Sequence, residues 1–267
     1  MGHSVARPAH LCNPTAGPAS TQASADLLAK GCTGSTKASI EETLEHWYAD
    51  WSSGMSRPCC GRPRHRGGGT RIGERLTELP LTLRSDPAAP GLQTAPFVLA
   101  HSSGDTTSVF DNRLPLTATP WIRDGELAHL VTTRHSAGLT GLPVCPPGDN
   151  LLLEARGASR TLEEMIAATE RGLLLTCLWY IREVDPATLL LTGLTRDGVY
   201  LVERGEVTAA VNNFRFNESP VSLLGRATEA GRTERTLPRE WADWFTRAAM
   251  PPLRVPDFNM SSVSRGV

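Results

Sequence analysis

The chain has 267 residues, 40% of them hydrophobic and 21% charged, with a formal net charge of −1. That balance supports a buried core and excludes a wholly disordered chain, and the near-neutral charge excludes a general nucleic-acid-binding surface. The longest nearly apolar run, Leu173 to Ile181, is interrupted by Thr176, well short of the ~20 apolar residues of a membrane-spanning helix.

The opening MGHSVARPAH lacks the apolar stretch of a secretory signal. Six cysteines (Cys12, Cys32, Cys59, Cys60, Cys145, Cys177) in a chain of this length do not make a disulfide scaffold. The expected location is therefore the cytoplasm, with free thiols. Residues 1–37 are rich in Ala, Ser, Thr, Gly and Pro and lack periodicity, so they bury too little apolar area to offset their ordering entropy. Ser39 to Trp51 is the exception. Ser39 and Glu42 stand in capping-box spacing, and Leu44, Trp47, Tyr48 and Trp51 recur at helical steps, which predicts a short amphipathic helix. Residues 55–66 hold Cys59, Cys60 and His65 in a Pro/Gly-rich stretch. Their spacing does not give the paired ligands of a zinc site, and an exposed linker is the simpler reading.

From residue 67 the chain reads as one folded unit, so the expected division is a variable N-terminal segment, 1–66, and a domain over 67–267. Gly67 to Gly69 with Gly73 form a Gly-rich turn that lacks the lysine of a P-loop. A strand is expected over Leu76–Leu83, with loop signals at Asp86-Pro87 and Pro90-Gly91. Asp124-Gly125 supplies a hairpin turn. Glu126 to Thr133 continues as a strand or a short helix, and 137–150 is expected to be a loop. Thr161 to Arg171 is the clearest helix, with Thr161 and Glu164 as its capping box and Gly172 as its stop. Strands are expected over 173–181, 188–195, 199–203 and 207–216. The short turns at 196–198 and 204–206 imply an antiparallel meander. Pro238 to Met250 reads as a helix and Leu253 to Met260 as an edge strand.

Catalytic motifs are sparse. None of the histidines, His3, His10, His46, His65, His101, His129 and His135, is followed by Glu, so H-E-x-x-H is absent. Glu126, His129 and His135 come nearest to a ligand set. On a helix the two imidazoles lie about 240° apart around the axis. On a strand they sit about 20 Å apart, too far for one ion. No G-x-S-x-G elbow and no dinucleotide fingerprint occur. Cys177 lies in an apolar run and reads as a buried, inert thiol. The most informative stretch is NNFRFNESP at 212–220. On a strand, Asn213, Arg215 and Asn217 face one side and Phe214 and Phe216 the other. The amides and guanidinium suit peptide backbone or carboxylate groups, and Glu218 completes the candidate substrate-binding set. The alternative is an internal network in which Arg215 and Glu218 hold a loop.

At this stretch the sequence resembles the TldD/PmbA (TldE) family, specifically the C-terminal domain of actinobacterial-type members. The resemblance is carried by GGGTRIGERL (67–76), SVFDNRLPLTATPWIRDGELAHLVTTRHSA (108–137), ASRTLEEMIAATERGLLLTCLWYIREVDPATLLLTGLTRDGVYLVERGEV (158–207) and NNFRFNESP (212–220). It is colinear over about residues 67–260, and 55–66 stands outside it. The resemblance implies an α+β fold with curved antiparallel sheets and a few packed helices. It also implies a paired-subunit metallopeptidase acting on unfolded peptides. In TldD-type subunits zinc is held by an H-E-x-x-x-H helix and a later cysteine, and TldE-type subunits lack these ligands. This chain has no H-E pair and no cysteine after Cys177. The expectation is a TldE-like subunit with no zinc or catalytic residue of its own, partnered by a zinc-bearing TldD-type subunit. The alternatives are an autonomous metallopeptidase with other ligands and an inactive truncated product.

Overall fold

The computed structural model describes residues 34–36, 70–103, 108–185, 188–236 and 247–264. Its first half contributes β1 (Gly34–Thr36), β2 (Leu81–Ser85), β3 (Thr119–Arg123), β4 (Glu126–Leu127), α1 (Arg134–Thr140), β5 (Leu151–Ala155) and α2 (Leu162–Ala167). There follow β6 (Arg171–Leu175), β7 (Leu178–Asp185), β8 (Leu190–Thr195), β9 (Val199–Glu203), β10 (Glu206–Val211), β11 (Asn213–Glu218) and α3 (Pro220–Arg226). The last strands are β12 (Glu229–Ala230), β13 (Glu234–Thr236), β14 (Ala248–Met250), β15 (Leu253–Val255) and β16 (Met260–Ser264). They form three sheets, ordered β10-β9-β6-β1-β15-β12, β16-β11-β8-β7 and β13-β14-β5-β2-β3-β4. Pairing is antiparallel apart from β1 with β6 and β5 with β14. The fold is α+β with predominantly antiparallel sheets, as the resemblance implies.

The two tight hairpins follow from their turn residues. Asp124 (φ 48°) and Gly125 (φ 87°) link β3 to β4, and Arg204 (φ 51°) and Gly205 (φ 81°) link β9 to β10. Positive φ at both central positions is the type I′ geometry whose twist matches the flanking strands. Gly125 is required twice over, because a Cβ there would overlap the Thr77 carbonyl oxygen.

The expected meander is corrected by the pairing. β6 pairs with β9 and β9 with β10 in one sheet, whereas β7 pairs with β8 and β8 with β11 in another. The chain therefore changes sheet at Thr176–Cys177, at Arg196–Gly198 and at Asn212. Two crossings are tied together: Arg196 N–H donates to Cys177 O at 3.0 Å and Thr176 N–H to Gly198 O at 3.4 Å. The physical cause is a break in alternation. Leu173, Leu175 and Cys177 are buried at period two, but Leu178 is buried as well. Successive buried side chains need opposite covered faces, so the strand bends between sheets instead of continuing.

Other boundaries shift for local reasons. Pro80 precedes β2, and Leu76 and Thr77 instead donate their N–H groups to Gly125 O, so the strand expected at 76–83 is Leu81–Ser85. The loop expected over 137–150 begins inside α1, whose capping box is Thr133 with Ser136 and whose C-cap is Gly141 at φ 72°. The Thr161–Glu164 capping box forms as expected, but α2 ends at Ala167 and Gly172 lies within β6. Ala248–Met250 is a strand and not the end of a helix. β15 lies between β1 and β12 inside its sheet, while β16 is a separate edge strand. The expected helix at 39–51, the stretch 55–66 and positions 238–246 lie outside the described residues.

One main hydrophobic cluster joins all three sheets, including Leu81, Leu83, Trp121, Leu151, Leu153, Leu173, Leu191, Phe214 and Phe216. Leu152 points the other way, into a smaller cluster with Ala89, Leu92 and Ala249. β5 is thus covered on both faces, which accounts for its unbroken leucine run. Among the described residues no helix is long and apolar enough to cross a membrane.

Candidate functional site

The candidate site is β11, held between β8 and β16. Its alternation follows the sequence expectation. Phe214 and Phe216 are fully buried, Arg215 is exposed, and Asn213 and Asn217 are half-buried. The strand is anchored from behind. Phe216 packs against Phe258 with ring centroids 5.7 Å apart. Gly193 on β8 leaves the space that Phe216 fills, because a Cβ at Gly193 would come within 2.5 Å of that ring.

Hydroxyls on β8 and β16 fix the strand's backbone. Thr195 Oγ1 accepts from Phe214 N–H at 2.8 Å and donates to Asn213 Oδ1 at 3.3 Å. Thr192 Oγ1 donates to Phe216 O at 3.0 Å, and Ser261 Oγ donates to Arg215 O at 3.2 Å. Asn213, Arg215 and Asn217 therefore project from one rigid strand at the two-residue repeat, ~6.6 Å. An extended peptide has the same repeat. Amides that donate and accept, flanking a forked guanidinium, suit main-chain groups and a carboxylate.

Glu218 does not join them. It is buried on the phenylalanine side, where its Oε1 accepts from Arg226 Nη2 at 2.7 Å and from Asn259 N–H at 2.7 Å. Burial pushes this carboxyl above its ordinary pKa, while the Asn259 N–H and the Arg226 guanidinium pull it back. The internal pairing considered for Glu218 is thus made with Arg226 on α3, and not with Arg215. Arg226 went unnoticed in the sequence because its link to Glu218 exists only once Pro220 starts a helix that turns back over β11.

The described residues do not fit a zinc ion. No group of three or more His, Cys, Asp or Glu side chains among them could hold a metal. Cys145 is buried, which pushes its thiol up to about 11, the opposite of what a thiolate ligand needs. Cys177 is likewise buried. His129 Nδ1 is engaged with Pro120 O at 2.7 Å, and His135 is exposed on α1.

Residues 68–262 match the family model described as the PmbA/TldA metallopeptidase C-terminal domain. No curated protein matches the chain. Among solved structures, TldE from Thermococcus kodakarensis is 17% identical with a TM-score of 0.63, covering 86% of this chain and 50% of that one. A proposed modulator of a DNA gyrase from Thermotoga maritima is 15% identical, with a TM-score of 0.65 and coverage of 86% and 49%. A proposed modulator of DNA gyrase from Bacteroides thetaiotaomicron is 14% identical, with a TM-score of 0.66 and coverage of 87% and 47%. At these identities the likeness is one of fold, and this chain spans about half the length of each of those structures.

Proposed function

The chain belongs to the PmbA/TldD metallopeptidase family through its C-terminal domain, and from that premise we propose that it acts as a TldE-like subunit in the proteolysis of unfolded peptides. Zinc and the hydrolytic chemistry would come from a TldD-type partner. This chain's part is to hold an extended substrate along β11. Asn213 and Asn217 would bond main-chain amides, and Arg215 would pair with a carboxylate of the substrate. Glu218 contributes indirectly, by fixing the end of the strand through Arg226 and Asn259.

The observation that carries this reading is the polar face of β11. Its three side chains stand on a strand immobilised by buried Phe214 and Phe216, so they meet a substrate preorganised. The sequence supports the division of labour, because no histidine is followed by glutamate anywhere in it.

The test is hydrolysis of unfolded casein by a TldD-type subunit, with and without this chain. The chain should raise turnover, and the combined substitution Asn213→Ala, Arg215→Ala and Asn217→Ala should abolish the increase while leaving the circular-dichroism spectrum intact. Undiminished stimulation by the triple variant would remove β11 from the substrate path. Hydrolysis by the purified chain alone, with stoichiometric zinc in elemental analysis, would replace this reading with that of an autonomous metallopeptidase.

A further inference from the structure

The sheet that carries β11 continues its outer face onto β7. Directly paired residues of antiparallel strands share a face. Arg215 on β11 pairs with Leu194 on β8, and Leu194 pairs with Trp179 on β7. Asn217 pairs with Thr192, and Thr192 with Arg182. Each row therefore crosses from β11 to β7: Arg215, Leu194, Trp179 in one, and Asn217, Thr192, Arg182 in the other. Neighbouring strands lie ~4.8 Å apart, so Trp179 stands about 10 Å from Arg215 across the sheet.

A bulge in β7 sets this arrangement. Tyr180 and Ile181 lie between Trp179 and Arg182, whereas Gly193 alone lies between the paired Leu194 and Thr192. Tyr180 takes up the extra residue at φ 55°, a conformation strained for a bulky side chain. Strict alternation from Trp179 would turn Ile181 outward and Arg182 into the core. With the bulge, Leu178 and Ile181 are both buried, Trp179 is half-buried, and Tyr180 and Arg182 are exposed. The Arg182 guanidinium carbon lies 4.3 Å from the centre of the Tyr180 ring, and Nη1 donates to Ile181 O at 2.5 Å. That stack holds the ring in place. A bulge alone is enough to blunt an edge strand, and it does not require aromatic rings on the open side.

We infer that Trp179, Tyr180 and Leu194 form an apolar subsite beside Arg215, so that the peptides held along β11 carry an aromatic or large aliphatic side chain next to the residue that Arg215 binds. The inference rests on the reading of β11 as the substrate strand, and it names the class of peptide which that strand selects. A chain lying along β11 turns alternate side chains toward β8. A side chain reaching over Leu194 leaves water for an apolar surface flanked by the tryptophan and tyrosine rings. Arg215 then supplies an anchor common to all acidic peptides, and the rings discriminate among them. Tyr180 lies at the bulge that sets the faces of Trp179 and Arg182, so its backbone positions the subsite while its ring lines it.

The test uses the full chain and a short, unfolded fluorescent peptide with glutamate between two phenylalanines, beside its counterpart with serine for both phenylalanines. The phenylalanine peptide should bind more tightly by about tenfold. Trp179→Ala should shrink that ratio to about twofold, and Tyr180→Gly should shrink it in part. Glycine suits the positive φ at position 180, so Tyr180→Gly keeps the fold where loss of the half-buried tryptophan loosens it. Arg215→Ala should weaken both peptides alike and leave their ratio unchanged. Equal affinity for the two peptides, both weakened by Arg215→Ala, would overturn the subsite and leave β11 as the substrate strand. A ratio unchanged in both Trp179→Ala and Tyr180→Gly would overturn it in the same way. Binding of neither peptide, or binding indifferent to Arg215→Ala, would overturn the reading of β11 and the subsite with it.

Discussion

Glu218 and Arg226 form an ion pair across the turn from β11 into α3, with Nη2 2.7 Å from Oε1 and the carboxylate side chain only 3% exposed. Arg226 also donates from Nη1 to Ser222 Oγ at 3.1 Å. The same Glu218 oxygen accepts from Asn259 N–H, so one buried carboxylate ties together the candidate strand, the helix after it and the approach to β16.

Replacing Arg226 by methionine leaves that charge buried with no counter-ion and only the Asn259 N–H to stabilise it, and should cost about 3 kcal/mol of stability at neutral pH. The pH dependence has a definite sign. Burial raises the Glu218 carboxyl above its ordinary value. Stability linked to its proton is therefore fully present below the unfolded value, ~4.3, and is lost as pH rises through the raised folded value. Arg226→Met raises the folded value further, so its deficit should shrink as the pH is lowered from about 7 to about 5. Adding Glu218→Gln should remove that recovery. Urea-unfolding midpoints across this range check the prediction, and a deficit that does not change with pH would count against it.

The parts of this fold legible in the sequence are those set by local chemistry. Asp124-Gly125 and Arg204-Gly205 announce their turns because few residues tolerate two successive positive φ angles. Thr161 and Glu164 announce α2 because both arms of its capping box have the side chains that reach. α1 was hidden because its cap uses Ser136 in place of the usual Glu or Gln, and because Gly138 sits inside it. The three sheet crossings were hidden for another reason. A strand-like run such as Leu173 to Ile181 shows its composition but not which side is covered, and the decisive fact is that both Cys177 and Leu178 are buried. The polar face of β11 was legible from alternation alone. The partner of Glu218 was not, since Arg226 stands eight positions away and meets it only through the turn at Pro220.

Gly125 offers a test of the hairpin geometry. Alanine there meets both a positive φ of 87° and the Thr77 carbonyl oxygen. At Gly91 the φ is 74° but nothing lies within 4 Å of a new Cβ. Gly91→Ala should cost about 1 kcal/mol for the backbone strain alone. Gly125→Ala should cost at least about 3 kcal/mol, because the carbonyl that blocks it is backbone and belongs to the loop before β2. Chemical denaturation of the two variants side by side separates strain from overlap, and equal losses would show that the loop yields.

Arg254 on β15 uses all three of its nitrogens, two of them toward α2 and the turn that follows it and one within its own sheet. Nε donates to Glu229 Oε2 at 2.9 Å, Nη1 to Thr169 Oγ1 at 2.6 Å and Nη2 to Met165 O at 2.9 Å. Lysine keeps the charge but presents a single nitrogen and loses the fork. Arg254→Lys should therefore destabilise by about 2 kcal/mol, and hydrogen exchange in residues 162–169 should rise above that of the β5 core. A lysine variant as stable as the parent would show that charge, and not the fork, secures the helix.

Cys145 gives a prediction about reactivity. Its amide donates to Thr132 Oγ1 at 2.7 Å, the residue is buried, and the thiol is pushed up to about 11 by that burial. At pH 8 only about one molecule in a thousand would carry the reactive thiolate. In the native chain an alkylating reagent should modify Cys145 at least about a hundredfold more slowly than in the denatured chain. Cys177, also buried, should behave the same way. Peptide mapping after a timed iodoacetamide pulse reads both sites at once. Labelling of Cys145 at the denatured rate would show that the loop over 141–148 opens far more often than its paired backbone implies.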